Sequence, residues 1–382
     1  MALEGYVASA EEVRRRIEKV FAGLGEVEVD GIFIFNEKLV DDNFLYLTGI
    51  GDGVFENCGL FVTRSGFQCV FSTVLEEEAI RYSPYNEVYV YKNGEERDRV
   101  IAEVLKEYEN IGVCYDRLTY GFFNHLASKL PDQKWINVDF ALKKARMVKT
   151  EYEIQKIKKA CSIVGEVELQ IPDLLEEGIR KEITETELAV EIDYLMRKKG
   201  ATKIAFDTIV AFGENSSLPH YRSGNQSIKP GLPVLIDFGA GYLGYCSDIT
   251  RTFVIGNPED WVRDLYTTVY SAYRIAIDSI REGVPSDNVD KKVREFIDSH
   301  ENYRGRFIHR LGHSIGISVH DDGYPGATFN NLFLENMTVT VEPGIYLPGK
   351  AGIRVEDDIR VKKDGVEILN SPLKSLDEYI LV

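Results

Sequence analysis

Four carboxylates in the second half of the chain stand at the ends of segments that predict β-strands. Asp237 and Glu342 each end an apolar run, whereas Asp248 and Glu356 each open the segment that returns. An acid that ends a run apolar on both faces is buried, and a buried charge is costly unless it is paired or binds a metal. One such acid alone is usually a hydrogen-bonded structural residue, but four in matching segments need cations nearby.

Two kinds of cation could neutralise these acids. Arg251 and Arg354 lie close to them in the sequence and could form ion pairs. A pair of divalent metal ions accounts better for the set, because oxygen-rich sites with bridging carboxylates suit Mn²⁺ and related ions. We therefore expect a metal centre, with arginine pairing as the alternative.

Three of the six histidines of the chain fall within the segment FIHRLGHSIGISVH (307–320). His309 and His313 are four residues apart, as in the HExxH motif of zinc peptidases. Arg310 occupies the position of the catalytic glutamate of that motif, so the zinc-peptidase interpretation is rejected. A single histidine is usually structural, but three so close together and flanked by glycines indicate a site.

The four carboxylates belong to two segments that share the same order of predicted elements: VLIDFGAGYLGYCSDITRTF (234–253) and TVTVEPGIYLPGKAGIRVEDDIRV (338–361). Each has an apolar strand that ends in a carboxylate, a glycine-containing connection and a second strand with a carboxylate near its start. We interpret the segments as two hairpins of a domain with internal two-fold symmetry. Chance similarity between two glycine-containing hairpins is the alternative.

The helices and strands predicted from the sequence fall into two domains, with a boundary near Lys143. Residues 1–143 alternate apolar runs with helical patterns, which predicts an α/β domain. Residues 144–382 form the second predicted domain. A charged amphipathic segment at the boundary predicts one helix over 143–161. The other predicted elements are helices at about 9–21, 96–108, 184–199, 259–281 and 287–299, and strands at about 31–35, 59–63, 67–71, 87–91, 111–116, 208–212, 233–238, 249–255, 338–342, 352–356 and 358–362.

Composition limits the class of partner and the compartment. The formal net charge is −17, from 45 basic and 62 acidic side chains, so the surface repels phosphate backbones and anionic membranes. The five cysteines are scattered without a CxxC pair, which argues against disulfides or a structural zinc site. With no signal-peptide pattern and no apolar run of about 20 residues, we expect a cytoplasmic protein that binds neither nucleic acid nor membrane.

The motifs DFG-x8-DITRTF, HRLGHSIGISVH, VEPG and RVEDD resemble the signature of the pita-bread metallopeptidases. Within that family they resemble the proline-specific branch, the Xaa-Pro dipeptidases (prolidases) and aminopeptidase P. NFLYLTG (43–49) is similar to the creatinase-like N-terminal domain of this branch, which methionine aminopeptidases lack. The resemblance covers nearly the whole chain. It implies a creatinase-like α/β domain over 1–143, an α+β pita-bread catalytic domain with pseudo-two-fold symmetry over 144–382, and a homodimer.

The resemblance further implies two divalent metal ions and five ligands for them. Mn²⁺ or Co²⁺ is the expected metal, although Zn²⁺ and Fe²⁺ also tolerate this ligand set. Asp248 and Glu356 would bridge both ions. The implied ligands are Asp237, Asp248, His313, Glu342 and Glu356.

Other residues are implied to act on the substrate. His220, in the motif SSLPHY, matches the family histidine that contacts substrate and steadies the developing oxyanion. His320 matches a histidine that contacts the scissile region, and Glu342 would relay a proton, so these three are the predicted catalytic residues. His309 matches a supporting outer histidine, and Arg354 matches a positive residue near the metal cluster.

The sequence departs from the family pattern in how it could bind a substrate carboxylate. Arg310 stands where many relatives have glycine, and it could narrow the pocket or bind substrate. Some dipeptidases carry an arginine shortly after the second histidine, but here His320 is followed by DDGYPGATF (321–329), without a basic residue. This absence weakens the dipeptidase interpretation. With the two residues that the resemblance implies, the predicted substrate-binding residues are His309, Arg310 and Arg354.

The expected activity is hydrolysis of the bond before proline in Xaa-Pro dipeptides or in short peptides with proline second. The length of 382 residues favours a dipeptidase over the larger aminopeptidases. The alternatives are an aminopeptidase P-like enzyme, a non-catalytic binding protein on the same fold, and a creatinase-like hydrolase that acts without metal. The complete ligand set argues against the last two.

Overall fold

The chain divides into two compact units, Met1–Arg146 and Met147–Val382, each with a hydrophobic core of its own. No helix in the described part of the chain has the length and apolar character that a membrane span requires. The residues described by this computed structural model are 7–51, 53–81, 84–323 and 331–381.

The N-terminal unit is an α/β domain, as the alternation of apolar runs and helical patterns predicts. Its sheet has the strand order β4-β3-β2-β1-β5-β6, and the pairs β3–β4, β1–β5 and β5–β6 are parallel. Its elements are α1 (Ala10–Gly23), β1 (Gly31–Asn36), α2 (Asp42–Thr48), β2 (Cys58–Thr63), β3 (Gln68–Thr73), α3 (Glu77–Arg81), β4 (Glu87–Tyr91), α4 (Gly94–Leu105), β5 (Asn110–Val113), α5 (Tyr120–Lys129), β6 (Lys134–Asn137) and α6 (Asp139–Met147).

The C-terminal unit packs helices against a sheet of seven strands in the order β13-β16-β12-β9-β8, with β17 paired to β16 and β18 paired to β12. Its elements are α7 (Glu151–Glu168), α8 (Ile171–Lys181), α9 (Glu185–Lys198), β7 (Lys203–Ile204), β8 (Ile209–Phe212), β9 (Pro233–Phe238), β10 (Ala240–Tyr242), β11 (Tyr245–Cys246), β12 (Ile249–Ile255), α10 (Asp260–Ser279), α11 (Ser286–Asp298), β13 (Thr338–Val341), β14 (Gly344–Leu347), β15 (Ala351–Arg354), β16 (Glu356–Lys362), β17 (Gly365–Ile368), α12 (Leu376–Tyr379) and β18 (Ile380–Leu381).

The two predicted hairpins form the centre of this sheet. β9 pairs antiparallel with β12, and β13 pairs antiparallel with β16. The return strands β12 and β16 also pair antiparallel with each other. A pseudo-two-fold axis between β12 and β16 therefore exchanges the hairpins, which confirms the internal symmetry predicted from their shared plan.

The continuous helix predicted over 143–161 is wrong, because two helices, α6 and α7, occupy this stretch. Thr150 has an extended backbone conformation and caps α7. Its Oγ1 accepts from the amide of Glu153 at 3.3 Å, and the Glu153 carboxylate accepts from the amide of Thr150 at 2.8 Å. This reciprocal cap starts a new helix where hydrophobic periodicity alone predicted continuity.

The other differences leave the predicted elements around the site in place, although the sequence analysis did not predict several elements, among them α5 and β6. Helix α8, which the sequence analysis left out, follows directly after α7. The strand predicted over 352–356 ends at Arg354, so that Glu356 opens β16 after a single intervening residue. The glycine-containing connection of the second hairpin forms a small hairpin of its own, β14–β15. These differences leave the four carboxylates at the same ends of the strands.

Candidate metal centre

Asp237, Thr250 and Glu356 lie side by side on the neighbouring strands β9, β12 and β16. Asp248 directly precedes β12, and Glu342 directly follows β13. Because the two hairpins meet along β12 and β16, their four carboxylates reach the same end of the sheet. All four line one cavity of about 360 Å³.

Three carboxylate oxygens in this cavity are buried without a hydrogen-bond donor among the described residues: Oδ1 of Asp237, Oδ1 of Asp248 and Oε1 of Glu356. Leaving a buried polar atom unpartnered is costly, so native proteins rarely do it. Asp248, Glu356 and His313 also offer ligand atoms within 4.8 Å of one another. Carboxylate oxygens with one imidazole form a donor set that suits divalent transition-metal ions. Asp237 and Glu342 lie outside this tightest group but line the same cavity.

His313 is oriented as a metal-binding imidazole. Its Nδ1 lies 3.1 Å from the carbonyl oxygen of Ser314, to which it can donate only with the proton on Nδ1. Nε2 then carries a lone pair directed at the acids, 3.5 Å from Asp248 Oδ2 and 3.7 Å from Glu342 Oε1. A backbone carbonyl that fixes the tautomer in this way is a common partner of metal-ligating histidines.

The acids perturb one another strongly because they share a buried space. Burial, followed by the charge of Asp237, raises the pKa of Asp248 well above its ordinary value. Burial and the charge of Asp248 do the same to the pKa of Glu356, and burial raises the pKa of Glu342 to about 7. Carboxylates this close cannot all ionise without compensating positive charge. Divalent ions would supply that charge.

The arginine alternative accounts for one of the four acids. The guanidinium of Arg354 is buried, and it forms an ion pair with Asp237 Oδ2. It also donates to Thr250 Oγ1 at 3.0 Å and to the hydroxyl of Tyr346 at 3.0 Å. Arg251 instead pairs with acids outside the cavity. A substrate carboxylate would have to compete with Asp237 for Arg354.

His309 has internal partners for both ring nitrogens. Nδ1 lies 2.7 Å from the carbonyl oxygen of Arg310, and Nε2 lies 2.9 Å from the hydroxyl of Tyr346. Burial, followed by the charge of Arg354, lowers the pKa of His309 to about 4, so the ring is neutral at pH 7. Nδ1 therefore donates, and Nε2 accepts from Tyr346. This arrangement suits the supporting role that the resemblance implied.

His220 and His320 line the cavity and are largely exposed. Neither imidazole has a hydrogen-bond partner in the described ranges, so both could donate to a substrate. The ring of His320 lies edge-on to that of His313, with centroids 4.3 Å apart. Burial and then the charges of His313 and His220 lower the pKa of His320, so its imidazole stays neutral more readily.

Lys149, which the sequence analysis did not single out, anchors the loop between two of the histidines. Its buried ammonium lies 3.1 Å from Ser314 Oγ and 3.7 Å from Asp321 Oδ2. These two residues directly follow His313 and His320. One charge thus ties together the two ends of the loop that separates the imidazoles. Nothing local in the sequence distinguishes Lys149 from the other lysines near it.

Arg310 projects its exposed side chain into the cavity, and its guanidinium has no partner among the residues that the structure describes. Helix α11 holds the backbone on either side. Arg294 donates to the carbonyl oxygen of His309 at 2.9 Å, and Asp290 accepts from the amide of Leu311 at 2.9 Å. The predicted absence of a basic residue after His320 concerns 321–329, of which 324–329 lie outside the described residues.

Known proteins resemble this chain in sequence and in fold. The Xaa-Pro dipeptidase of Pyrococcus furiosus is 31% identical over 95% of this chain and 100% of its own length. Among solved structures, the X-Pro aminopeptidase of Thermotoga maritima MSB8 has a TM-score of 0.83 at 34% identity, over 92% of this chain and 97% of its own. A recombinant prolidase of Thermococcus sibiricus has a TM-score of 0.84 at 32% identity, over 96% and 98%.

The two units match two family descriptions. Residues 16–148 match the Creatinase/Prolidase N-terminal domain, and residues 155–363 match Metallopeptidase family M24. The second match covers the strands and the loop that bring the four acids and His313 together. The chain therefore belongs to metallopeptidase family M24 and carries the creatinase/prolidase type of N-terminal domain.

Proposed function

We propose that this protein hydrolyses the Xaa-Pro bond of dipeptides with two divalent metal ions. The observation that carries the proposal is the set of three unpartnered, buried carboxylate oxygens on Asp237, Asp248 and Glu356 beside the lone pair of His313 Nε2. Mn²⁺ or Co²⁺ is the proposed metal, with Zn²⁺ and Fe²⁺ as alternatives. The proposed ligands are Asp237, Asp248, His313, Glu342 and Glu356.

Ions bound there would lower the pKa of a water molecule and polarise the scissile carbonyl. Glu342 lies at the edge of the ligand group, and we assign to it the transfer of a proton from the attacking water to the leaving nitrogen. His220 and His320 have ring nitrogens without internal partners, so each can donate to the developing oxyanion or to the scissile region.

The cavity also offers apolar surface for a proline ring, on Phe206, Ile209 and Val319. The bond before proline is a tertiary amide without an N–H, so a site that selects it needs no acceptor at that nitrogen. The same absence of an N–H makes the ring side of the substrate apolar. Contact with these side chains supports a preference for proline after the scissile bond.

The proline carboxylate of a dipeptide needs a cation, and arginine is the side chain best shaped to bind one. Arg354 is engaged with Asp237, whereas Arg310 lines the cavity without a partner in the described ranges. We therefore assign carboxylate binding to Arg310. An X-Pro aminopeptidase is the second candidate, because the similarity to the Thermotoga maritima enzyme covers 92% of the chain.

Hydrolysis of Ala-Pro beside Ala-Pro-Ala, with added Mn²⁺ or Co²⁺, tests the proposal. We expect cleavage of Ala-Pro, appreciable side activity on Ala-Pro-Ala and loss of both after chelation. Cleavage of the tripeptide alone would make the protein an aminopeptidase. A protein that binds metal but cleaves neither peptide would refute the proposal. The homodimer and the cytoplasmic location remain predictions, which light scattering and cell fractionation can test.

A further inference from the structure

Glu185, the first residue of α9, has a completely buried carboxylate that accepts four hydrogen bonds. No lysine, arginine or histidine in the described ranges pairs with it. Its Oε1 accepts from Phe212 N at 2.8 Å and from Asn215 Nδ2 at 2.9 Å, and its Oε2 accepts from the Tyr221 hydroxyl at 2.8 Å and from Gly224 N at 3.1 Å.

All four donors belong to one segment, residues 212–224, which leaves β8 and carries His220. Two donors precede His220 and two follow it, and Tyr221 is its direct neighbour. The amide of Thr186 also donates to the carbonyl oxygen of Gly224, and the amide of Glu185 donates to that of Gln226, two residues beyond the segment. The imidazole of His220 has no partner of its own in the described ranges, so its position depends on how this segment is held.

The arrangement requires a carboxylate. Both oxygens face donors, so an amide at this position would turn its NH₂ group towards two of them. A buried charge without a counter-ion is also costly unless several hydrogen bonds satisfy it. The location in the first turn of a 14-residue helix adds favourable helix-dipole stabilisation. These features indicate that the negative charge of Glu185 serves to hold the segment 212–224 in one conformation.

We propose that Glu185 is a positioning residue that fixes His220 over the cavity for the transition state of the reaction. Glu185 does not line the cavity, so it acts only through the segment that it binds. The inference rests on the proposed function, because His220 is assigned there to the oxyanion or the scissile region.

The test is a double-mutant cycle of Glu185→Gln with His220→Ala, using kcat on Ala-Pro in the metal-loaded, full-length protein. Glu185→Gln should lower kcat about 10-fold or more with KM nearly unchanged, because the lost interaction is made in the transition state. In the His220→Ala background it should have almost no further effect. Glu187→Gln is the matched control, since Glu187 lies on the same helix and only caps it from an exposed position.

A second readout does not depend on activity. The proton NMR signals of the His220 imidazole, assigned by their absence in His220→Ala, should shift or broaden in Glu185→Gln and stay unchanged in Glu187→Gln. Tyr221→Phe removes one donor without misplacing an NH₂ group, so it decides the question if Glu185→Gln does not fold. It should give a smaller loss of kcat that also disappears in the His220→Ala background.

Two results would overturn the inference. The first is an equal loss of kcat in both backgrounds, and the second is an unchanged His220 signal in a folded Glu185→Gln or Tyr221→Phe variant. Either would make Glu185 merely structural. A wild-type protein without activity on any Xaa-Pro peptide would instead refute the proposed function, so the two failures are distinguishable.

Discussion

Asp237 and Arg354 form an ion pair in which both side chains are almost completely buried. The pair occupies only Oδ2 of Asp237, and Oδ1 remains without a donor among the described residues. Arg354 therefore fixes the orientation of this acid while leaving one oxygen directed at the proposed ions. The single arginine also reduces the negative charge that those ions must neutralise.

Asp237→Asn and Glu356→Gln should each abolish hydrolysis of Ala-Pro while leaving the fold intact. Each substitution removes a charge and replaces a ligand oxygen by an NH₂ group that cannot bind a cation. The measurements are kcat, metal per chain by elemental analysis, and circular dichroism. Glu187→Gln is the control. Near-normal turnover with unchanged metal content in either variant would contradict the ligand assignment.

His220→Ala and His320→Ala should each lower kcat about 10²-fold, the loss typical of one group that stabilises an oxyanion. Metal content should stay unchanged because neither residue belongs to the proposed ligands. His300→Ala, a histidine outside the cavity, should have little effect. Loss of metal from the His220 or His320 variant would show that the ligand set has been assigned wrongly.

Arg310→Ala should raise KM for Ala-Pro about 10-fold, which corresponds to the loss of one charged hydrogen-bonded contact. The effect on Ala-Pro-Ala should be smaller, because only the dipeptide has a carboxylate at that distance. Arg304→Ala, at an exposed arginine nearby, serves as the control. Equal increases for both peptides would remove Arg310 from carboxylate recognition.

Lys149→Met should destabilise the C-terminal unit by about 3–5 kcal/mol, because it leaves the carboxylate of Asp321 buried without its cation. Adding Asp321→Asn to this variant should recover part of the loss. The measurement is urea unfolding. The half-exposed pair of Lys158 with Glu367, whose lysine lies on α7, provides the control, and Lys158→Met should cost about 0–1 kcal/mol. Equal losses of unfolding free energy in the two variants would show that the buried contacts of Lys149 contribute no more to stability than those of Lys158.

Asp41 makes the stability of the N-terminal unit depend on pH, because burial raises the pKa of its carboxyl from 3.8 to about 6. Between these values the folded chain holds a proton that the unfolded chain has lost, so the contribution of this carboxyl to stability declines as pH rises. Asp41→Asn keeps the oxygen that caps α2 but cannot titrate. Relative to wild type, the variant should therefore gain about 2 kcal/mol between pH 4 and pH 8.

Urea unfolding at both pH values provides the measurement for Asp41. Asp132→Asn, at an exposed acid of the same unit, should show no such gain. Stability curves of wild type and Asp41→Asn that run parallel across this range would contradict the assignment.

The sequence alone predicted much of the fold and grouped the candidate site correctly in space, since the acids and histidines that it singled out line one cavity. The reason is that hydrophobic runs and turns mark the strand ends where those residues stand. It did not predict Lys149 or Glu185. Their partners are distant in the chain, 165 residues between Lys149 and Ser314 and 36 between Glu185 and Tyr221. Such contacts exist only after the chain has folded.

Sequence patterns also misjudged elements that depend on one local interaction. Charged amphipathic periodicity runs through α6 and α7, yet the cap at Thr150 divides them. Arg354 stood out as a positive residue near the acids, but the sequence could not show that Asp237, Thr250 and Tyr346 already surround its guanidinium. Both cases concern hydrogen bonds of side chains, which periodicity does not encode.

The pairing of β12 with β16 joins two hairpins that are alike in backbone but differ in the acids they carry. One hairpin supplies aspartates, Asp237 and Asp248, and the other supplies glutamates, Glu342 and Glu356. The difference of one methylene gives the two halves unequal reach into the cavity. The two proposed metal positions would therefore have unequal surroundings on a backbone that is pseudo-symmetric.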